Sequence, residues 1–462
     1  MQKKKQLQVK SYKLQAKRIK PELAGGFRDY GPQDAIMRER LVGKLRKTFE
    51  EFGFDPMETP AVERTEVLTG GEAGSQKIIF NVKGSQEKPL DKTRGKQSDL
   101  SLRFDLTVPL VRFMAVNPDI PKPFRRYQIG AAWRGESPQA GRYREFLQAD
   151  IDIVGVSSMD ADSEIISVVY QGFKNMGINR FVIKINNRKV LNGLPSYAGF
   201  PEKKLPEFLR VIDKKDKIGA DAVKKEIVKT FKKQVAEKIE QFLAISGDTR
   251  EKLLQARDLL KGSGSTEEGI KELAEIVRNI KAAGIEQKNW EIDFSVVRGL
   301  NYYTGPIFET VLLDAAGLGS VCSGGRYDEL TIPYTGEKLP TVGVSFGVDR
   351  LFAALDELKL LKKKATTTKV LILTLAPELK QEYFAFAKTL RDANINTALY
   401  VGDDRAFQAQ LAYAVKKEIP YVVIYGDAEQ KKGVVTIKNL ERREQKEIPK
   451  AELLAQARNL FR

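Results

Sequence analysis

Arg298, Tyr302 and Tyr303 fall within one short stretch, RGLNYYTGPIFE at 298–309, with a glycine on each side of the tyrosine pair. A guanidinium stays charged at any physiological pH and grips phosphate or carboxylate oxygens in pairs, while a phenol offers a hydrogen bond on an apolar ring. The grouping suits a site where negative charge develops beside a polar organic ligand. The chain contains no histidine, so acid–base chemistry near neutral pH proceeds here without a protein imidazole.

Three further segments alternate polar and apolar residues with the period of a strand. In LSLRFDLT, Arg103, Asp105 and Thr107 oppose Leu102, Phe104 and Leu106; in RRYQIGAAWR, Arg126, Gln128 and Arg134 oppose Tyr127, Ile129 and Trp133; in FLQADIDIVG, Gln148, Asp150 and Asp152 oppose Leu147, Ala149, Ile151 and Ile153. The loop GESPQAGRYRE joins the last two segments, so they are expected to pair antiparallel, and it brings Arg142 and Arg144 beside them. A sheet face meeting water would also alternate. Interleaving Arg with Asp and Gln points instead to a charged cleft.

The elements that must position these residues follow from periodicity. Residues 33–53 place Ile36, Arg40 and Leu41, Leu45, Thr48 and Phe49, and Phe52 at helical spacing, ending near Gly53. FDPMETPAVE is expected to be extended, and the lysine-rich interval 84–99 to be a loop between IIFNV and LSLRFDL. From about 200 to 285 the chain has helical patterning, with a capping-box pair expected at Ser265 and Glu268 and a turn between two helices at GSGS, 262–265. WEIDFSVV, with Trp290, Ile292, Phe294 and Val296 alternating, predicts a strand leading directly into Arg298. After the charged linker ELKLLKKKATTTK, the apolar runs KVLILT, INTALYV and PYVVIYG predict a small α/β unit with a largely parallel sheet over 369–462.

Composition bounds the rest. A chain of 462 residues exceeds one ordinary core. Its formal charge of +17 points to a polyanionic partner, since clustered Lys and Arg displace counterions from phosphate backbones. The single cysteine, Cys322, excludes an internal disulfide, and without histidine no protein metal site is expected. No apolar run reaches membrane-spanning length, and the basic opening MQKKKQLQVKSYKLQAKRIK has no hydrophobic segment of a secretory signal. A reducing, cytoplasmic setting is the expectation.

The stretches GGFRDYGP, TPAVE, LSLRFDLTVPLVRF, WRGESPQAGRYREFLQADIDIVG, RGLNYYTGPIFE, SGGRYDEL and VGVSFGVDRL together resemble the class II aminoacyl-tRNA synthetases, and within them the histidyl-tRNA synthetase family, over most of residues 25–352. The resemblance implies an α+β catalytic domain on a six- or seven-stranded antiparallel sheet at 21–196 and 286–358, a helical insertion at 197–285, an α/β anticodon-binding domain at 369–462, and a basic arm at 1–20. It also implies a homodimer formed through the helix of the first motif and Pro60. Arg134 would hold the α-phosphate of ATP and Glu136 the adenine amino group, with Arg142 and Arg350 on the outer phosphates and Mg2+ accompanying the nucleotide. Asp105, Thr107 and Gln148 would surround the amino group of histidine, with Arg134 and Arg298 near its carboxylate, and Asp152, Tyr302 and Tyr303 at its ring. Since adjacent strand residues face opposite ways, one of the two tyrosines is expected to be structural. Arg298 would stabilise charge on the reacting phosphate where other class II enzymes place a metal ion, and Gln139 would meet an extra guanosine at the acceptor end of tRNA.

The sequence departs from the family at Gln128 and Leu147, where histidine is frequent, and at Asn301, where Asp or Ser is frequent. The implied activity is ATP-dependent ligation of histidine to tRNA through a histidyl-adenylate. The rivals are the non-catalytic, synthetase-like regulatory subunit of ATP phosphoribosyltransferase and a general nucleic-acid-binding scaffold. Against the first stand Arg134, Arg298, Arg350 and the α/β tail; against the second, the arginines that converge on one cleft.

Overall fold

A computed structural model describes residues 19–70, 78–83, 100–137, 141–213, 219–297, 302–361 and 363–461. The expected basic arm up to residue 18, the loop at 84–99, Gln139, and Arg298 through Asn301 lie outside the described residues. Up to residue 350 the strands are β1 (Asp55–Pro56), β2 (Val62–Arg64), β3 (Phe80–Val82), β4 (Leu100–Leu102), β5 (Phe124–Trp133), β6 (Glu145–Val154), β7 (Phe181–Asn187), β8 (Trp290–Ile292), β9 (Pro306–Leu312), β10 (Ser320–Arg326) and β11 (Thr341–Gly347).

Eight of them form one sheet in the order β1-β5-β6-β11-β10-β9-β7-β8. The six central strands are antiparallel neighbours, as expected, but the short edge strands β1 and β8 run parallel to β5 and β7. In the β5–β6 hairpin Arg126 lies opposite Asp152, Gln128 opposite Asp150 and Gly130 opposite Gln148. Strand period two therefore puts these polar groups on one face. Ala149, Ile151 and Ile153 on the other face are buried in the main core, where the helices Pro32–Glu51 and Met159–Met176 bring Phe49 and Phe173 against Phe346 of β11 at ring distances of 5.8 and 5.7 Å. The predicted helix at 33–53 is Pro32–Glu51, which buries Met37, Leu41, Val42, Leu45, Thr48 and Phe49.

Two expected strands are shorter than their alternation implied. LSLRFDLT leaves the small β2-β4-β3 sheet after Leu102, and Thr107 opens the helix Thr107–Val116. Arg103 is accordingly no cleft residue. It is buried and braces the chain, donating from Nε to the Ala131 carbonyl at 2.8 Å and from Nη1 to the Thr59 carbonyl at 2.6 Å. WEIDFSVV is strand only through Ile292. Beyond it, Asp293 accepts from the Ser295 amide and hydroxyl, and Asn186 Nδ2 donates to the Val296 carbonyl at 2.8 Å, so the chain turns across the end of β7.

The helical stretch between β7 and β8 includes Thr249–Leu259 and Gly264–Ala282; of the GSGS segment expected as a turn, Gly262 and Ser263 lie between the two helices and Gly264 and Ser265 open the second. The capping box belongs to Asp248 and Glu251 on the first helix; Ser263, not Ser265, caps the second, and Ser265 Oγ donates instead to the Lys189 carbonyl at 2.9 Å. The C-terminal sheet contains β12 (Val370–Ile372), β13 (Thr397–Leu399), β14 (Tyr421–Ile424), β15 (Val434–Asn439) and β16 (Glu444–Pro449) in the order β13-β12-β14-β15-β16. Its first three strands are parallel, as expected, while β15 and β16 close it as an antiparallel hairpin that the polar sequence EQKEIP had hidden.

Candidate active site

The polar face of the large sheet carries two adjoining cavities. The inner one, about 220 Å³, is lined by Asp105, Thr107, Asp150, Asp152, Tyr302 and Tyr327, and the outer one, about 300 Å³, by Glu136, Arg142, Phe146, Glu309, Asp349 and Arg350. Arg134, Gln148, Tyr303 and Ser345 line both, so the two form a continuous trough. Glycine opens its floor. A Cβ at Gly343, opposite Asp152 in the β6–β11 ladder, would overlap the Asp152 carboxylate.

The inner cavity is built from buried groups with fixed partners. Asp152 accepts from the Tyr327 hydroxyl, and Arg126 Nη2 lies 2.7 Å from its other oxygen; Arg126 is fully buried. The phenol bonded to Asp152 is thus that of Tyr327. Gln148 Nε2 donates to Ser345 Oγ at 2.6 Å, leaving Gln148 Oε1 without a hydrogen-bond partner among the described residues. Asp105 accepts from the Val108 amide at 3.1 Å through one oxygen, and its other oxygen, like Asp150 Oδ1, has no hydrogen-bond partner among the described residues. Burial raises the Asp105 pKa to about 6 against the opposing backbone bond and Arg134, and raises that of Asp150 to about 7 against the pull of Arg126. It also pushes the Tyr302, Tyr303 and Tyr327 phenols above their ordinary range. All three stay protonated as donors.

The tyrosine pair differs from its strand-based expectation. Tyr302 sits in a turn rather than on a strand, so both rings face the inner cavity, 4.9 Å apart, and the Tyr302 hydroxyl bonds with Thr107.

The outer cavity is built from cations placed just beyond strand ends. Arg134 follows β5, holds the Phe104 carbonyl from Nε at 3.1 Å, and lies over the Phe146 ring at 4.9 Å. Arg350, on the helix Val348–Glu357, donates to the Ser320 carbonyl, and the half-buried Arg142 extends from the β5–β6 loop. Asp349 on the same helix ties the wall together, accepting from Tyr30 at 2.8 Å, Arg38 at 2.6 Å and the Leu147 amide at 2.7 Å.

The structure brings Asp105, Thr107, Arg134, Glu136, Arg142, Gln148, Asp152, Tyr302, Tyr303 and Arg350 into this one trough. Gln128 is displaced from it, bonding Thr59 Oγ1 at 3.0 Å through Nε2, while Leu147 lines the outer cavity. Sequence reasoning had not singled out Tyr327, Asp150, Phe146 or Glu309 as site residues. The signals were present: Tyr327 lies within SGGRYDEL, and Asp150 shares the alternation of Gln148 and Asp152.

An antiparallel sheet with arginines over a nucleotide-sized trough, joined to a C-terminal α/β unit, defines a class II aminoacyl-tRNA synthetase. Residues 26–351 match the family model described as histidyl-tRNA synthetase, and residues 369–460 match an anticodon binding domain. A histidine–tRNA ligase of Clostridium tetani is 41% identical over 431 residues, covering 92% of this chain and 94% of that protein. The crystal structure of histidyl-tRNA synthetase from Nostoc sp. PCC 7120 superposes with a TM-score of 0.84 at 33% identity, covering 96% of this chain and 100% of that one. The chain belongs to the histidyl-tRNA synthetase family. An ATP phosphoribosyltransferase regulatory subunit/histidyl-tRNA synthetase from Bacillus halodurans shares the fold, with a TM-score of 0.71 at 22% identity over 86% of this chain and 97% of that one.

Proposed function

We propose that the inner cavity binds histidine, the outer cavity binds ATP, and the chain joins histidine to tRNA through a histidyl-adenylate. The carrying observation is the change of charge along one trough. Asp105, Asp150 and Asp152 line its inner end, where Arg134 is the only described cation on the wall, whereas at its outer end Arg134, Arg142 and Arg350 stand among Glu136, Glu309 and Asp349, the last already paired with Arg38. An α-ammonium with a polar ring suits the first and a polyphosphate the second.

In the first step the histidine carboxylate attacks the α-phosphorus of ATP and pyrophosphate leaves. The nucleophile is already an anion, so no protein base is needed, and a chain without histidine can run the step. Arg134 and Arg298 offset charge on the phosphorus oxygens. In the second step the terminal ribose hydroxyl of tRNA attacks the adenylate carbonyl, AMP leaves, and the adenylate phosphate takes the proton. Magnesium bound with ATP would neutralise phosphate charge, and Glu309, a buried carboxylate on the outer wall, would hold it. Gln139 meets the acceptor end. The working form is a cytoplasmic homodimer joined through the helix Pro32–Glu51 and the segment around Pro60; among the described residues no helix is long and apolar enough to cross a membrane.

Histidine-dependent exchange of pyrophosphate into ATP, followed by charging of tRNA, tests this reading. Exchange with histidine and no other standard amino acid is expected. Absence of both activities in the folded dimer would favour the non-catalytic regulatory reading.

A further inference from the structure

We infer that Arg188 grips a phosphodiester of the tRNA acceptor end, outside the cavities assigned to ATP and histidine, an inference that rests on the ligase reading above. The backbone is extended through Asn187 (φ −140°, ψ 130°), so strand alternation carries Arg188 onto the face shared by Lys184 and Asn186. That face is the cavity face, since β7 and β9 pair Lys184 with Glu309. The Arg188 amide donates to the Gly305 carbonyl at 2.8 Å, fixing its backbone beside the segment that carries Tyr302 and Tyr303.

The neighbouring cations are already committed. Lys184 pairs with Asp293 at 2.7 Å, and Lys189 turns to Glu268 and Glu272 on the helix Gly264–Ala282, at 2.7 and 2.5 Å. The Arg188 side chain is half-buried and its guanidinium has no hydrogen bond or ion pair among the described residues, and burial lowers its pKa with no carboxylate opposing. Among the described arginines that are not exposed, only Arg142 likewise has a guanidinium without a hydrogen bond or ion pair to a described residue. Arg38, Arg103, Arg112, Arg125, Arg126, Arg134, Arg144, Arg326 and Arg350 all hold carbonyls or carboxylates.

A partly desolvated guanidinium without a partner is costly, and a ligand anion removes that cost. Arg142 lines the outer cavity and has the phosphates of ATP to meet, but Arg188 lines neither cavity. The remaining substrate is an RNA whose terminal ribose must reach the adenylate carbonyl, which brings its backbone phosphates to the cavity face that Arg188 shares. Planar, bidentate binding to a phosphodiester is what guanidinium does best.

The test compares Arg188→Gln and Arg188→Lys with the unsubstituted full-length protein in three measurements: histidine-dependent pyrophosphate exchange, charging of tRNA, and tRNA affinity across a salt series. For Arg188→Gln, exchange should stay unchanged while the Kd for tRNA rises roughly 10- to 100-fold, the range of a charge-assisted hydrogen bond. The slope of log affinity against log salt should become shallower by about 0.7–0.9, the value of one phosphate contact. Arg188→Lys should keep the slope and weaken binding only about threefold to tenfold. Exchange falling in step with charging would mean that Arg188 braces the tyrosine segment, and an unchanged affinity and slope would mean that it meets no phosphate; either overturns the assignment. If Arg188→Gln does not fold, Arg188→Lys decides, because unsubstituted-level affinity in that variant removes the bidentate contact. Loss of the ligase reading itself would show separately, as absent exchange in the unsubstituted protein.

Discussion

The two ends of the trough solve opposite problems. At the inner end Gln148 and Asp152 sit in mid-strand and are engaged before any ligand arrives, Asp152 held by Tyr327 and Arg126, and Gln148 through Nε2 by Ser345. At the outer end the arginines stand beyond strand ends, on a loop and a helix, with Arg134 and Arg350 donating to backbone carbonyls and Arg142 making no side-chain hydrogen bond or ion pair with a described residue. A small polar ring is recognised by donors and acceptors fixed in direction, since any left unpaired in a dry pocket is penalised. A polyphosphate is recognised by cations whose donors are still open.

That contrast predicts unequal consequences of mutation. The largest is expected for Asp152→Ala, which strands the fully buried Arg126 without its anion. Breaking a buried pair from one side costs about 3–5 kcal/mol, so denaturant unfolding should show lost stability together with a steeply raised KM for histidine. Unchanged stability would mean that Arg126 finds another partner and that the inner end is less pre-paired than its geometry indicates.

Arg142→Gln should do the reverse, leaving the thermal midpoint in place while slowing pyrophosphate exchange on the order of 10²-fold, the usual effect of removing one charge-stabilising donor. A fall in Tm comparable to that of Asp152→Ala would erase the distinction between the two ends.

Tyr327→Phe removes one hydroxyl and leaves an oxygen of Asp152 unpaired. The expected cost is roughly 1–3 kcal/mol, read mainly as a raised KM for histidine with the KM for ATP unchanged. An equal shift in both constants would show that Tyr327 shapes the whole trough and not its inner end.

The smallest effect is on pH dependence. Asp105 and Asp150 have folded pKa values of about 6 and about 7, above the ordinary carboxylate range. The folded apo-protein therefore holds more protons than the unfolded chain between roughly pH 4 and 7, so these groups' contribution to stability decreases as pH rises through that window. Asp150→Asn should flatten the upper part of this slope. A denaturation midpoint with the same pH slope in both proteins would assign the effect elsewhere.

Much of this was legible in the chain itself. Alternation in RRYQIGAAWR and FLQADIDIVG was sufficient to place Gln148, Asp150 and Asp152 on one face of an antiparallel hairpin, because a strand's side-chain period is fixed by its backbone. The Lys- and Glu-rich helices between β7 and β8 and the parallel strands of the C-terminal unit were likewise visible, because apolar spacing reports burial directly.

Only the tertiary structure decided which polar residue meets which. Alternation continued past Leu102 and Ile292, yet both strands stop there: side chains brought from elsewhere, Arg134 on the Phe104 carbonyl, Arg126 on the Leu106 carbonyl and Asn186 on the Val296 carbonyl, satisfy the turning backbone. Strand logic separated Tyr302 from Tyr303, and a turn reunited them. Asp152 found its phenol in Tyr327, 175 residues away, because β11 carries a glycine where a side chain would have filled the space. Local sequence sets a residue's period and chemistry; long-range packing sets its partners, since hydrogen bonds act over about 3 Å and sequence distance carries no information on that scale.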